Sequence, residues 1–195
     1  MTVLDTPTVP ANLVGEWKID PAHSEVSFTV RHLMLSKVRG RFTAFDGSFT
    51  IGADLPQSRV EAVIDLASID TGNEGRDAHV RSADFFDVDN HPELTYRSTG
   101  IRADGEGFVV DGELSLHGVT KQVLLYVEVN GYQALTPFGD TRAGFSATTE
   151  INRDDFGIEF NAPLEGGGFV LGRKIQIALE IEAVLVVPAS LQPAS

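Results

Sequence analysis

Lys174-Ile175-Gln176-Ile177-Ala178-Leu179-Glu180-Ile181-Glu182-Ala183-Val184-Leu185 alternates with period two. Ile175, Ile177, Leu179, Ile181, Ala183 and Leu185 share one parity; Lys174, Gln176, Glu180 and Glu182 share the other. Successive side chains of a strand point to opposite faces, so this stretch reads as a strand with one buried and one wet face. The charges and Gln176 also break the longest apolar run of the chain, Ile175 to Val187, far short of the ~18 apolar residues that cross a bilayer.

Five further segments repeat the pattern. Val26, Phe28 and Val30 oppose Glu25, Ser27, Thr29 and Arg31; Val60, Ala62, Ile64 and Leu66 oppose Arg59, Glu61 and Asp65. Phe108, Val110, Leu114 and Leu116 oppose Asp111, Glu113, Ser115 and His117. Val123, Leu125, Val127 and Val129 oppose Gln122, Glu128 and Asn130; Phe145, Ala147 and Ile151 oppose Arg142, Ser146, Thr148 and Glu150. A seventh segment, Arg39 to Ile51, changes phase: Phe42 has one parity, Phe45, Phe49 and Ile51 the other. A β-bulge produces such a slip, and Gly47 would ease it. An eighth, Leu94 to Asp104, has Leu94 and Tyr96 in phase and Ile101 out of phase.

Asp104-Gly105-Glu106-Gly107 and His117-Gly118-Val119 read as turns between successive strands; Asp46-Gly47 and Asn130-Gly131 are further turn or bulge signals. Short links between sequential strands favour an all-β, up-and-down meander. One segment departs from it. Thr71-Gly72-Asn73-Glu74 has capping-box spacing, and helical sequence follows from Glu74 to about Ala83. A second short helix or turn is expected at Asn152 to Phe156. Residues 1–14 and 188–195, rich in Pro, Ala, Ser and Thr, read as flexible tails around a single domain, 15–187.

The chain carries 15 basic and 28 acidic residues in 195, a formal net charge of −13. That charge repels phosphate backbones and anionic membranes, so neither nucleic acid nor stable membrane insertion is expected. Cysteine is absent, which removes disulfides, thiolate metal sites and thiol nucleophiles. The first fourteen residues hold no Lys or Arg and no apolar core, so they are not a signal peptide, and a cytoplasmic location is expected.

Little points to catalysis. The histidines His23, His32, His79, His91 and His117 form no HxH or HxxxH pair, so no metal site is assigned. His91 before Pro92 and His117 before Gly118 read as turn residues. No GxSxG is present, no catalytic residue is assigned, and no cofactor is expected. Gly167 and Gly172 before Arg173-Lys174 only imitate a phosphate loop, because no Ser or Thr follows and a strand comes next; Gly166-Gly167-Gly168 reads as a loop or barrel rim. The densest polar cluster is Arg76-Asp77-Ala78-His79 with Arg81. It is either a solvated helix face or a pocket mouth where Arg76 or His79 meets a ligand head group. Twelve phenylalanines suit an apolar interior without hydrogen-bonding demands, but periodicity does not separate a filled core from a hollow one.

Four stretches resemble YceI-like proteins. They are Trp17-Lys18-Ile19-Asp20-Pro21-Ala22-His23-Ser24; Arg76 to Asp87 with His91-Pro92; Leu114-Ser115-Leu116-His117-Gly118-Val119-Thr120-Lys121; and Arg153-Asp154-Asp155-Phe156-Gly157-Ile158. They occur in the family's order between about Gly15 and Val187. The resemblance implies an extended, lipocalin-like, eight-stranded antiparallel barrel with one or two short helices capping it. It also implies a long pore holding an amphiphile: a polyisoprenoid, an isoprenoid quinone or a fatty amide.

On that reading Phe28, Phe42, Ile64, Leu114, Leu116, Val127, Phe145, Ile177 and Leu179 line the pore. Phe85, Phe86, Phe156 and Ile158 gate it, and Arg76 and His79 meet the head group. The expected partner is a long-chain lipid, held without catalysis. Two alternatives stand beside it: an enzyme using a buried His–Asp pair on an apolar substrate, and a filled-core scaffold acting through its surface as a homodimer.

Overall fold

A computed structural model describes residues 9–165 and 168–187. The expected C-terminal tail, residues 1–8 of the N-terminal one, and Gly166 and Gly167 lie outside the described residues. The strands are β1 (Gly15–Ile19), β2 (Glu25–His32), β3 (Ser36–Phe42), β4 (Phe45–Ile51), β5 (Arg59–Asp65), β6 (Ile69–Asp70), β7 (Glu93–Asp104), β8 (Gly107–Leu116), β9 (Val119–Gln133), β10 (Arg142–Asn152) and β11 (Leu171–Leu185), with helix α1 (Glu74–Arg81) between β6 and β7.

These eleven segments make eight staves. β1 and β2 pair with successive parts of β11, β4 and β3 pair with β1 and β2, and β5 and β6 pair with β4 and β3. Each of those three staves is therefore one strand interrupted once, at 20–24, 43–44 and 66–68. β5 pairs antiparallel with β7, each strand from β7 to β10 pairs antiparallel with the next, and β11 returns to β1 and β2. The result is a closed, eight-stranded, up-and-down antiparallel barrel.

The interruptions correct the bulge expected near Gly47. The phase change between Phe42 and Phe45 is the break at Thr43–Ala44, and β4 runs through Asp46-Gly47 without a turn. Ile101 is out of phase because the β7–β8 register shifts between Ser98 and Gly100. Asn130-Gly131 marks a bulge against Gly144-Phe145 rather than a turn.

The break at 20–24 is pinned electrostatically. Arg142 on β10 donates to Asp20 Oδ2 (2.7 Å), to Asp140 (3.0 Å) and to Glu182 on β11. His23 and Arg142 hold the Asp20 carboxyl below its usual range, and Arg142 and Thr136 do the same for Asp140.

α1 is capped by Asn73, whose side chain accepts from the Arg76 N–H, not by the Thr71–Glu74 box expected from spacing. Thr71 instead bonds the buried Asp77 carboxylate. Among the described residues β6 has no strand on its outer side, and α1 covers that edge. Arg81 donates to the Ala67 and Ile69 carbonyls, both at 2.7 Å, satisfying acceptors a neighbouring strand would otherwise take. The turn expected at Asn152 to Phe156 is a 3₁₀ turn, Arg153–Phe156, capped by Asn152. In the expected N-terminal tail, Ala11–Leu13 form another, and Leu13 is buried with its carbonyl accepting from Trp17 Nε1.

Candidate functional site

The barrel is hollow. A cavity of about 590 Å³ runs inside it, walled by apolar side chains from every strand. Along β11 its wall runs from Leu171 to Ile181, about 33 Å of strand at ~3.3 Å per residue, which the usual barrel tilt of about 35–45° shortens to a tube roughly 25 Å long. Its volume falls within the roughly 300–1,000 Å³ of ordinary small-molecule pockets.

The period-two parity places the wall. Phe28, Phe42, Ile64, Leu114, Leu116, Val127, Phe145, Ile177 and Leu179 all face the cavity, and so do Phe85, Phe86 and Ile158. Phe156 does not. It is 1 % exposed and packs into the core behind the wall, with its carbonyl bonded to His117 Nδ1. The gating role expected of Phe156 is thereby corrected to a core one. The Phe that does reach the mouth is Phe160, in an irregular segment where no periodicity marks it. Its ring, those of Phe85 and His79, lie 5.0–5.1 Å apart in a three-membered aromatic cluster.

Tyr96 crosses the interior of the wall. Its hydroxyl donates to the Val110 carbonyl (3.0 Å), with the Val123 carbonyl at 3.2 Å, and burial pushes its pKa up. A Cβ at Gly112 would sit 2.3 Å from that ring, so a glycine is required opposite it. With its donor engaged, Tyr96 presents an apolar face to the cavity.

Polar groups gather at the α1 end. Arg76 donates from Nε and Nη2 to the Thr71 hydroxyl and carbonyl, both at 2.7 Å. His79 Nε2 lies 2.8 Å from Asp84 Oδ2. Both residues line the mouth while remaining largely exposed. Arg153, unmarked as a wall residue by any sequence pattern, is 3 % exposed. Its guanidinium donates to the carbonyls of Ile158 (2.6 Å), Phe160 (2.9 Å) and Gly172 (3.1 Å), and burial lowers its pKa. It thus ties Ile158 and Phe160 to Gly172 and brings a positive charge to the wall.

The two histidines bonded to aspartates, His23 and His79, have side chains 57 % and 45 % exposed, so neither pair is the buried acid–base couple an enzyme reading asked for. No helix among the described residues is long and apolar enough to cross a membrane.

The comparisons with known proteins agree with this architecture. The family model described as the YceI-like domain matches residues 17–183. A UPF0312 protein of Photorhabdus laumondii is 41 % identical over 147 residues, which are 74 % of this chain and 76 % of that protein. Burkholderia cenocepacia BcnA superposes with a TM-score of 0.72 at 24 % identity, covering 84 % of this chain and 98 % of its own. A polyisoprenoid-binding domain from Saccharophagus degradans, implicated in plant cell wall breakdown, superposes with a TM-score of 0.61 at 17 % identity, covering 87 % and 98 %. At those identities the two superpositions speak for the fold; the family rests on the sequence matches. This chain belongs to the YceI-like domain family.

Proposed function

We propose that the chain binds one long-chain amphiphilic lipid inside the barrel, for storage, sequestration or transport, and does no chemistry on it. The observation that carries the reading is the apolar tube of about 590 Å³ with Arg76, His79 and Arg153 gathered at its α1 end. The fold shared with a polyisoprenoid-binding domain supports it. A polyisoprenoid, an isoprenoid quinone or a fatty amide has the matching form: a long apolar chain and a small polar head.

Energetics favour length. Each buried CH₂ contributes ~0.8 kcal/mol, so one five-carbon isoprene unit adds ~3–4 kcal/mol when fully buried. Association and ordering cost ~4–15 kcal/mol, so short chains gain little and several units are needed for tight binding. Arg76, His79 and the mouth aromatics orient the head, while the chain supplies the affinity.

The test is native mass spectrometry of the purified protein, followed by organic extraction and lipid identification. We expect a stoichiometric co-purified lipid. Leu116→Trp and Phe145→Trp each fill the tube and should abolish uptake of an added prenyl quinone, at ~1–3 kcal/mol of overpacking cost in stability. Empty protein that takes up no prenyl quinone or fatty amide, or uptake unchanged in both variants, overturns the reading.

A further inference from the structure

We infer that Asp87, His91 and His117 form a binding site for one divalent first-row transition ion, with zinc the best match. A carboxylate oxygen of Asp87 and one ring nitrogen from each histidine lie within 4.8 Å of one another. A tetrahedral ion bonding at ~2.0–2.2 Å would hold them roughly 3.4 Å apart, a closure that side-chain rotation supplies. Two imidazoles and a carboxylate suit zinc and its neighbours; magnesium and calcium prefer all-oxygen sets.

The surroundings prepare these groups as ligands. His117 Nδ1 lies 3.1 Å from the Phe156 carbonyl oxygen. A carbonyl only accepts, so Nδ1 donates and carries the proton, leaving the Nε2 lone pair for an ion. Partners of this kind fix the tautomer of ligating histidines. Asn90 Nδ2 donates to Asp87 Oδ2 at 2.9 Å and orients the carboxylate. Among the described residues, the His91 ring takes part in no hydrogen bond and stands edge-on to the His117 ring, with centroids 5.0 Å apart. All three residues are half-buried, so an ion reaches them from solvent.

Asp87 (φ +50°) and His117 (φ +52°) both hold left-handed conformations, which Asp and His adopt more readily than most L-residues. The His117-Gly118 turn would be served at lower cost by Asn or Asp. What histidine adds there is an imidazole aimed at His91.

A second cluster makes the contrast. Asp20, His23 and Glu182 are equally close together, but the Arg142 guanidinium already bonds both carboxylates. That position is taken by a cation of the protein itself. At Asp87, His91 and His117 no Lys or Arg makes an ion pair with the carboxylate among the described residues. An ion there would clamp the segment carrying Phe85 and Phe86 to the β8–β9 turn.

The experiment uses the full chain, stripped with a chelator and titrated with zinc chloride by calorimetry and by histidine side-chain ¹H–¹⁵N NMR. We expect one saturable equivalent, a raised melting temperature, and shifts at His91 and His117 but not at His23, His32 or His79. His117→Asn keeps a residue suited to the left-handed turn. It should weaken zinc by about 100-fold or more, beyond the roughly 10–100-fold lost with a partner behind a ligand. His91→Gln should do the same. The NMR arm needs no variant, so it decides the matter even if a variant fails to fold. No saturable binding at micromolar zinc, or binding whose shifts fall on His23 instead, overturns the proposal.

Discussion

The two ends of the tube are built from different materials. Around Trp17 the packing is aromatic: Trp17 is fully buried, stacks on Phe49 at 6.2 Å and meets Tyr132 edge-on at 6.5 Å, while Phe49 meets Phe145 edge-on at 5.2 Å. Around α1 the packing is mixed, and the decisive contacts are charged side chains bonded to backbone carbonyls: Arg81 to Ala67 and Ile69, Arg76 to Thr71, Arg153 to three residues of the mouth segment. The aromatic end loses its cohesion if water enters. The polar end can exchange its protein partners for water at modest cost. On the proposed lipid-binding reading, ligand entry is assigned to the α1 end.

The largest effect that would break this contrast is expected at Trp17. Trp17→Ala should cost about 3–5 kcal/mol in urea unfolding, because a cavity replaces a fully buried ring. A loss under about 1 kcal/mol would mean that the aromatic end is not held by packing. Arg153→Met comes next. It leaves three carbonyls without their donor, at a net cost of about 2–3 kcal/mol, and should speed proteolysis within 158–172. Unchanged proteolysis would show that the mouth segment is held by something other than this guanidinium.

Arg76→Ala tests the orienting role at the mouth. Displacement of a bound prenyl quinone should weaken by no more than about tenfold, with stability within ~0.5 kcal/mol of the parent. A complete loss of binding would move the affinity from chain to head group. The smallest effect concerns acid. Asp20 and Asp140 have lowered folded pKa values, so their stabilisation is present above the ordinary carboxylate range near 4 and is lost as pH falls through the folded values. Arg142→Leu should flatten the decline in stability below pH ~4 relative to the parent. Parallel acid limbs would show that Arg142 does not set those carboxyls.

The wall of the tube was legible from sequence because strand alternation is local. Once Ile177 and Leu179 are placed inward, parity alone sets Ile175 and Ile181 beside them. Parity failed wherever the count along a strand was interrupted: at Thr43–Ala44, and before Ile101, which needed a register shift to reach the cavity. The mouth was legible only in part. Arg76 and His79 stood out as a polar cluster on a helix. Phe160 sits in an irregular segment and Arg153 and Leu13 in short 3₁₀ turns, where position depends on long-range contacts that no short pattern encodes. His91 and His117 are 26 residues apart in sequence, and only the β8–β9 turn and the segment after α1 bring them together.

The interruptions at 20–24, 43–44 and 66–68 lie side by side across three adjacent staves, the last two linked by Thr43 N–H to the Ser68 carbonyl and Asp65 N–H to the Ala44 carbonyl. They work as an expansion joint. Pairing on each side of the joint is counted separately, with five residues at 20–24 already facing two at 181–182. A residue gained or lost at exposed Ala22 therefore leaves both halves of the wall with their inward faces intact, whereas the same change at Ile177 would turn half a strand inside out. The length of the chain can vary at the joint without any side chain of the tube changing sides.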